Sequence, residues 1–103
     1  MGTVNVRTFS RRGSSALVAA AALLAGCAAA PVQTMSDTRQ TIRAAEAAGA
    51  STVAPEALAT ARQELLRAEQ MLRNGEFRAA RREAEVARQN AADALSAAQH
   101  QSR

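Results

Sequence analysis

The sequence predicts an all-α protein in which a short helix precedes a long antiparallel helical hairpin with a coiled-coil-like, alanine-rich seam. Alanine fills 28 of the 103 positions, and Phe9 and Phe77 are the only aromatic residues. Apolar positions in the second half recur at alternating steps of three and four residues, which is the spacing of a helical seam. The length suits one small domain.

The N-terminal segment has the layout of a secretory signal. A basic stretch containing Arg7, Arg11 and Arg12 precedes an apolar run of ten residues from Ala16 to Ala25. A membrane-spanning helix needs about 20 apolar residues, so this run is a poor span. The layout predicts a signal peptide over residues 1–26.

The sequence Leu24-Ala25-Gly26-Cys27 ends this segment and resembles the bacterial lipobox. The resemblance implies cleavage between Gly26 and Cys27 and a diacylglycerol thioether on Cys27, so we expect a lipoprotein held in the membrane by its acyl chains. In lipoproteins an Asp after the cysteine favours the inner membrane, and Ala28 stands there, so we expect the periplasmic face of the outer membrane. Arg11-Arg12 is a partial twin-arginine match, which leaves the export route open.

The rest of the chain divides into a tether, a helical domain and a tail. Alanine and proline over residues 27–35 predict a short tether. Ser36 is a plausible helix N-cap, and Gly49 is the residue type preferred just past a helix end, so a first helix is predicted from Ser36 to Ala48. The three-helix domain is predicted over 36–100, with a tail at 101–103.

The hairpin is predicted from its turn. Pro55 suits the first turn of a helix that runs to Arg73. Asn74 and Gly75 end that helix and form the turn, and a third helix follows from Glu76 to about Gln99. Two long helices joined by so short a turn must run antiparallel.

The predicted core is the set of apolar positions at heptad spacing. These are Met35, Ile42, Ala45 and Gly49 in the first helix, Leu58, Ala61, Leu65, Ala68 and Leu72 in the second, and Phe77, Ala80, Ala84, Ala87, Ala91, Ala94 and Ala98 in the third. Val86 and Leu95 fall outside the seam. They either pack on the first helix or form an exposed interaction strip. Ion pairs within helices are predicted for Glu69 with Arg73, Arg81 with Glu85, and Glu85 with Arg88.

Charge and composition argue against several functions. From Cys27 onward ten Arg face nine acidic residues, a net charge of +1, and no Trp, Tyr or Lys occurs. This composition disfavours nucleic-acid binding, which needs clustered cations and stacking aromatics. His100 is the single histidine and has no cluster of ligands around it. We therefore expect no enzyme activity, no catalytic residues, no metal or other cofactor and no small-molecule substrate.

The order of features from Ser36 to Ala98 resembles a known family. A short alanine-rich helix, the Pro55-Glu56-Ala57-Leu58 start and the Gly75-Glu76-Phe77 turn are similar to small bacterial envelope lipoproteins classed as domain of unknown function 4398. That resemblance implies association with peptidoglycan-binding proteins similar to outer-membrane protein A. The turn also resembles the entry to the second helix of a tetratricopeptide repeat, although such repeats need about three copies.

The hypothesis that follows is a structural or adaptor lipoprotein. Only 12 of the 77 residues from Cys27 onward are Val, Ile, Leu, Met or Phe, so the isolated core is thin. We therefore expect self-association or packing against another envelope protein, in addition to membrane attachment through the lipid. The alternative is a tetratricopeptide-like, peptide-binding module. A surface-active amphipathic helix is a third, weaker hypothesis.

Overall fold

The computed structural model describes residues 27–102, all of which belong to helices or the short turns between them. Helix α1 covers residues 27–47, α2 is Ala50–Val53, α3 is Pro55–Arg73 and α4 is Phe77–Gln101. The all-α prediction and the antiparallel hairpin are confirmed. The predicted signal peptide, including Gly26, lies outside the described residues.

The first helix is longer than predicted. Residues 27–35, predicted to be a tether, are helical, and Ser36 lies within α1 instead of capping it. Alanine is the best helix former, and three alanines follow Cys27. Pro31 and Met35 are also buried, which extends the apolar stripe of α1 toward its start. The burial of these two residues stabilises helix over residues 27–35, the segment that its alanine and proline content predicted to be a tether.

Both long helices of the hairpin lie close to their predicted positions. Helix α3 begins with Pro55 and ends at Arg73, as predicted, and α4 runs two residues beyond the predicted end at Gln99. The segment after Gly49 forms the single-turn helix α2. Its Ala50 is buried, and α2 packs on both α3 and α4.

Hydrogen bonds at the turn between α3 and α4 explain its position. The N–H of Gly75 donates to the carbonyl of Leu72 at 3.0 Å, and the N–H of Glu76 donates to that of Met71 at 2.9 Å. This pair of bonds is the Schellman motif, which needs a left-handed residue at its centre. Gly75 supplies it with a φ of +78°. Gly49 performs the same role after α1, with a φ of +91°.

The three long helices form a bundle whose directions follow from their contacts. Arg39 and Glu46 of α1 pair with Glu69 and Arg62 of α3 respectively, both at 2.8 Å, so the two helices are antiparallel. Because α4 is antiparallel to α3, it runs parallel to α1. The start of α1 therefore lies at the same end of the bundle as the turn between α3 and α4.

The core is built mainly of alanine. Nine of the thirteen residues in the main buried cluster are alanine, and the larger members are Met35, Ile42, Leu58 and Leu65. Every alanine of the predicted α4 seam is buried, from Ala80 to Ala98. Small side chains allow helix backbones to approach closely. The seam prediction is thus confirmed for α4, except that Phe77 remains 37% exposed.

Candidate functional site

Cys27, the predicted lipid attachment point, is an exposed free thiol at one end of the bundle. Together with Ala30 and Pro31 it lines one side of an open groove of about 620 Å³. The turn residue Gly75 and the first residues of α4, beginning with Phe77, line the other side. The predicted anchor and the predicted helix turn, Asn74 and Gly75, are thus brought to the same end of the molecule.

The groove beside Cys27 is basic. Arg78, Arg81 and Arg82 line it, and Glu76 is the acidic residue in its lining. Arg81 is also within 3.5 Å of Glu85 across one turn of α4, the ion pair predicted from sequence. Across residues 27–102, no carboxylate lies within 4.0 Å of the guanidinium groups of Arg78 and Arg82. This local excess of positive charge is invisible in the net charge, because acidic residues elsewhere balance it.

The two residues suggested as an interaction strip behave differently. Leu95 is partly buried and packs against the main core. Val86 is 49% exposed on α4, and Leu66 of α3 is 63% exposed. Exposed apolar side chains thus remain on both helices of the hairpin, and Val86 of the predicted pair is one of them.

Thr38 is a buried polar residue that the apolar pattern missed. Its hydroxyl lies 2.9 Å from the carbonyl oxygen of Ala84 in α4 and 2.8 Å from that of Thr34 in its own helix. A short side chain of α1 thus reaches the main chain of α4. With Pro31, Met35, Ile42 and Ala45, Thr38 completes a heptad stripe on α1. Spacing, rather than hydrophobicity, was the signal that could have found it.

Glu64 is a buried carboxylate between α3 and α4. It is 7% exposed, and the side-chain amide of Asn90 donates a hydrogen bond to it at 2.6 Å. In a seam of alanines, which are interchangeable along the helix, a polar contact of this kind specifies one alignment of the two helices.

More ion pairs join different helices than the sequence predicted. Glu69, expected to pair with Arg73 in its own helix, instead binds Arg39 of α1. Arg67 of α3 pairs with Glu83 of α4 at 3.0 Å. Within the described chain, Glu85 pairs with Arg81 and not with Arg88. The pairs between helices have one cause, since the three long helices lie close enough for charges flanking the seams to meet across them.

The single histidine of the sequence lies at the opposite end of α4 from the groove beside Cys27. His100 is exposed in the last turn of α4, and residues 27–102 contain no group of three metal-ligating side chains. None of the helices described over these residues has the length and apolar character needed to cross a membrane.

Comparison with known proteins gives one result. A family model described as a domain of unknown function, DUF4398, matches residues 33–103, which is more than half of the chain. The match begins within α1 and includes α2, α3 and α4. No curated protein and no solved structure matches significantly.

Proposed function

Since the chain belongs to the DUF4398 family, we propose that it is an envelope lipoprotein whose helical bundle serves as a structural or adaptor module in the periplasm. The proposal has two parts, an anchor and a docking surface. The main observation behind the proposal is the exposed position of Cys27 at one end of a bundle whose core has few large side chains. The proposed role needs no catalytic group.

The anchor is supported by the sequence before Cys27 and by its surroundings. The basic segment, the apolar run and Leu24-Ala25-Gly26 precede a cysteine whose side chain is accessible. A lipid on a buried cysteine would disrupt packing, whereas on Cys27 it lies outside the core. Several acyl chains at about 0.8 kcal/mol per buried methylene give stable attachment. With Ala28 after the cysteine, the outer membrane is the proposed destination.

The docking surface is supported by the distribution of apolar side chains. Alanines fill the core, while the larger side chains of Leu66, Val86 and Val32 are 47% exposed or more. Burying such side chains contributes roughly 1.5 to 3 kcal/mol each. A bundle with a thin core gains most from a partner that covers them. A second copy of the chain or another envelope protein would do so.

Metabolic labelling tests the anchor. Cells fed an alkyne analogue of palmitate should label the wild-type chain, and Cys27→Ser should abolish the label. Ser102→Cys in the Cys27→Ser background is the matched control, since it restores a cysteine without the preceding motif. Labelling of Cys27→Ser, or its absence in the wild type, would contradict lipidation at this residue.

Site-specific photocrosslinking in cells tests the adaptor role. A photoreactive phenylalanine at Val86 or Leu66 should join the chain to another copy or to one envelope protein identified by mass spectrometry. Gln89 and Gln63 are matched controls, because both are exposed on the same two helices. Equal yields at all four positions would argue against a docking surface. Capture of an extended peptide, lost on Phe77→Ala, would instead favour the peptide-binding alternative.

A further inference from the structure

The end of the bundle around Cys27 also has a groove with aromatic and basic side chains. An aromatic side chain and three guanidinium groups surround the groove that Cys27 lines, contributed by Phe77, Arg78, Arg81 and Arg82. Phe77 occupies a seam position in α4 but is 37% exposed, unlike the buried alanines that follow it. The groove is therefore both basic and partly apolar.

One of these arginines, Arg78, lies where the helix itself does not favour a cation. The first turn of α4 has no acidic residue, and Arg78 occupies it. The N-terminal end of a helix carries partial positive charge, so cations near it are repelled. Of the three arginines, Arg81 has Glu85 as a partner, while Arg78 and Arg82 have no carboxylate within 4.0 Å in the described chain. Because Arg78 and Arg82 line the groove without a carboxylate partner among the described residues, the groove suits an external anion.

We infer that this end of the bundle, formed by Phe77, Arg78, Arg81 and Arg82, binds the phosphate headgroups of anionic lipids beside the lipid attached to Cys27. The inference rests on the proposed function, because the lipid on Cys27 is what places this end at a bilayer. Guanidinium groups bind phosphate oxygens through paired hydrogen bonds. Phenylalanine beside basic residues is typical of surfaces that insert at the headgroup boundary.

The position of Cys27 favours lipid headgroups over a soluble anion as the ligand of the groove. Cys27 begins the described part of α1 and shares the groove with Arg78 and Arg82. No flexible tether separates them, since residues 27–35 are helical. A lipid on Cys27 therefore places the arginines beside the headgroup layer, where the local concentration of phosphate is very high.

Tryptophan fluorescence of the lipidated chain in vesicles tests the inference. The sequence has no Trp, so Phe77→Trp gives a single reporter in the groove, and Gln89→Trp gives a matched one at an exposed position in the middle of α4. In vesicles of phosphatidylcholine with phosphatidylglycerol, the reporter at position 77 should emit at shorter wavelength and resist acrylamide quenching more than in phosphatidylcholine alone. The emission and quenching of the reporter at position 89 should be the same in both vesicle types.

A charge variant checks the cause. Combining Phe77→Trp with Arg78→Gln and Arg82→Gln should remove the difference between the two vesicle types. Combining it with Arg43→Gln and Arg88→Gln, which removes the same charge from exposed positions elsewhere, should preserve the difference. Added inorganic phosphate should not displace the reporter from the bilayer. Displacement would assign the groove to a soluble anion and overturn the inference.

Measuring the intact mass of the purified chain shows whether it is lipidated. This distinguishes failure of the proposed anchor from failure of the proposed headgroup surface. A chain without acyl chains contradicts the proposed anchor. A lipidated chain whose reporter at position 77 is equally quenched in both vesicle types contradicts the headgroup surface alone. Protection in native membranes but not in protein-free vesicles would also overturn it, and would assign the groove to a protein.

Discussion

At the scale of single residues, two buried polar contacts give the alanine core its specificity. Alanine seams have little shape to distinguish one alignment from another, because successive layers are alike. Thr38 fixes α1 against α4, and Glu64 with Asn90 fixes α3 against α4. A polar pair that is satisfied in one alignment and unsatisfied in others disfavours the alternatives.

Replacing Thr38 by Val should lower the free energy of unfolding by about 1 kcal/mol, the typical net value of one hydrogen bond. The change keeps the shape of the side chain but removes the hydroxyl between α1 and α4. Thr41→Val is the control, since its hydroxyl bonds only Asp37 in the same helix, at 2.9 Å. Urea denaturation followed by circular dichroism measures both. Equal losses would mean that the contact with Ala84 contributes nothing.

Replacing Asn90 by Ala should cost about 1 to 3 kcal/mol, because the buried carboxylate of Glu64 loses its donor. The double variant Glu64→Leu with Asn90→Leu should regain most of that stability, since two apolar side chains leave no unpaired group. Gln89→Ala provides the control, as its bond to Asp93 is exposed. A double variant less stable than Asn90→Ala would show that the pair itself stabilises the bundle.

At the scale of elements, the hairpin was predictable and the first helix only in part. The positions of α3 and α4 are predicted by local signals, namely Pro55, Gly75 and the heptad spacing of apolar residues. Helix α1 needs tertiary information: Pro31 and Thr38 break its apolar pattern, and they become part of it only when α4 lies alongside. The groove at Cys27 was likewise hidden, because it joins residues about 50 positions apart in sequence.

Enlarging one seam alanine should separate the helices. We expect Ala87→Leu to destabilise the bundle by roughly 1 to 3 kcal/mol, because the added carbons have no space between closely packed backbones. Ala59→Leu, at an exposed position of α3, should change stability by less than about 0.5 kcal/mol. Thermal melts of the two variants give the comparison. A stabilised Ala87→Leu protein would mean that the seam contains unfilled space.

At the scale of the whole molecule, ion pairs connect all three long helices. Arg39 and Arg62 bind carboxylates across the contact of α1 with α3, and Arg67 does so across that of α3 with α4. Their side chains are half exposed, and each such pair is worth about 0.2 to 1 kcal/mol. Together they supplement a core with few large side chains.

High salt should therefore weaken the wild-type bundle more than a variant without these pairs. Raising NaCl from about 0.01 M to about 1 M shortens the screening length from roughly 30 Å to 3 Å. The triple variant Arg39→Gln, Arg62→Gln, Arg67→Gln should lose roughly 1 kcal/mol less over that range than the wild type. Denaturation at both salt concentrations measures this difference. Parallel salt dependence would show that the pairs contribute little.

The helical state of residues 27–35 changes what a lipid on Cys27 would do mechanically. A flexible linker would let the bundle rotate freely above the membrane. A continuous helix from Cys27 instead restricts the orientation of the whole bundle relative to the membrane. The 25 residues of α4 rise about 37 Å at 1.5 Å each. The protein would then act as a rigid spacer, presenting its far end, near α2 and Gly49, at a set height over the lipid surface.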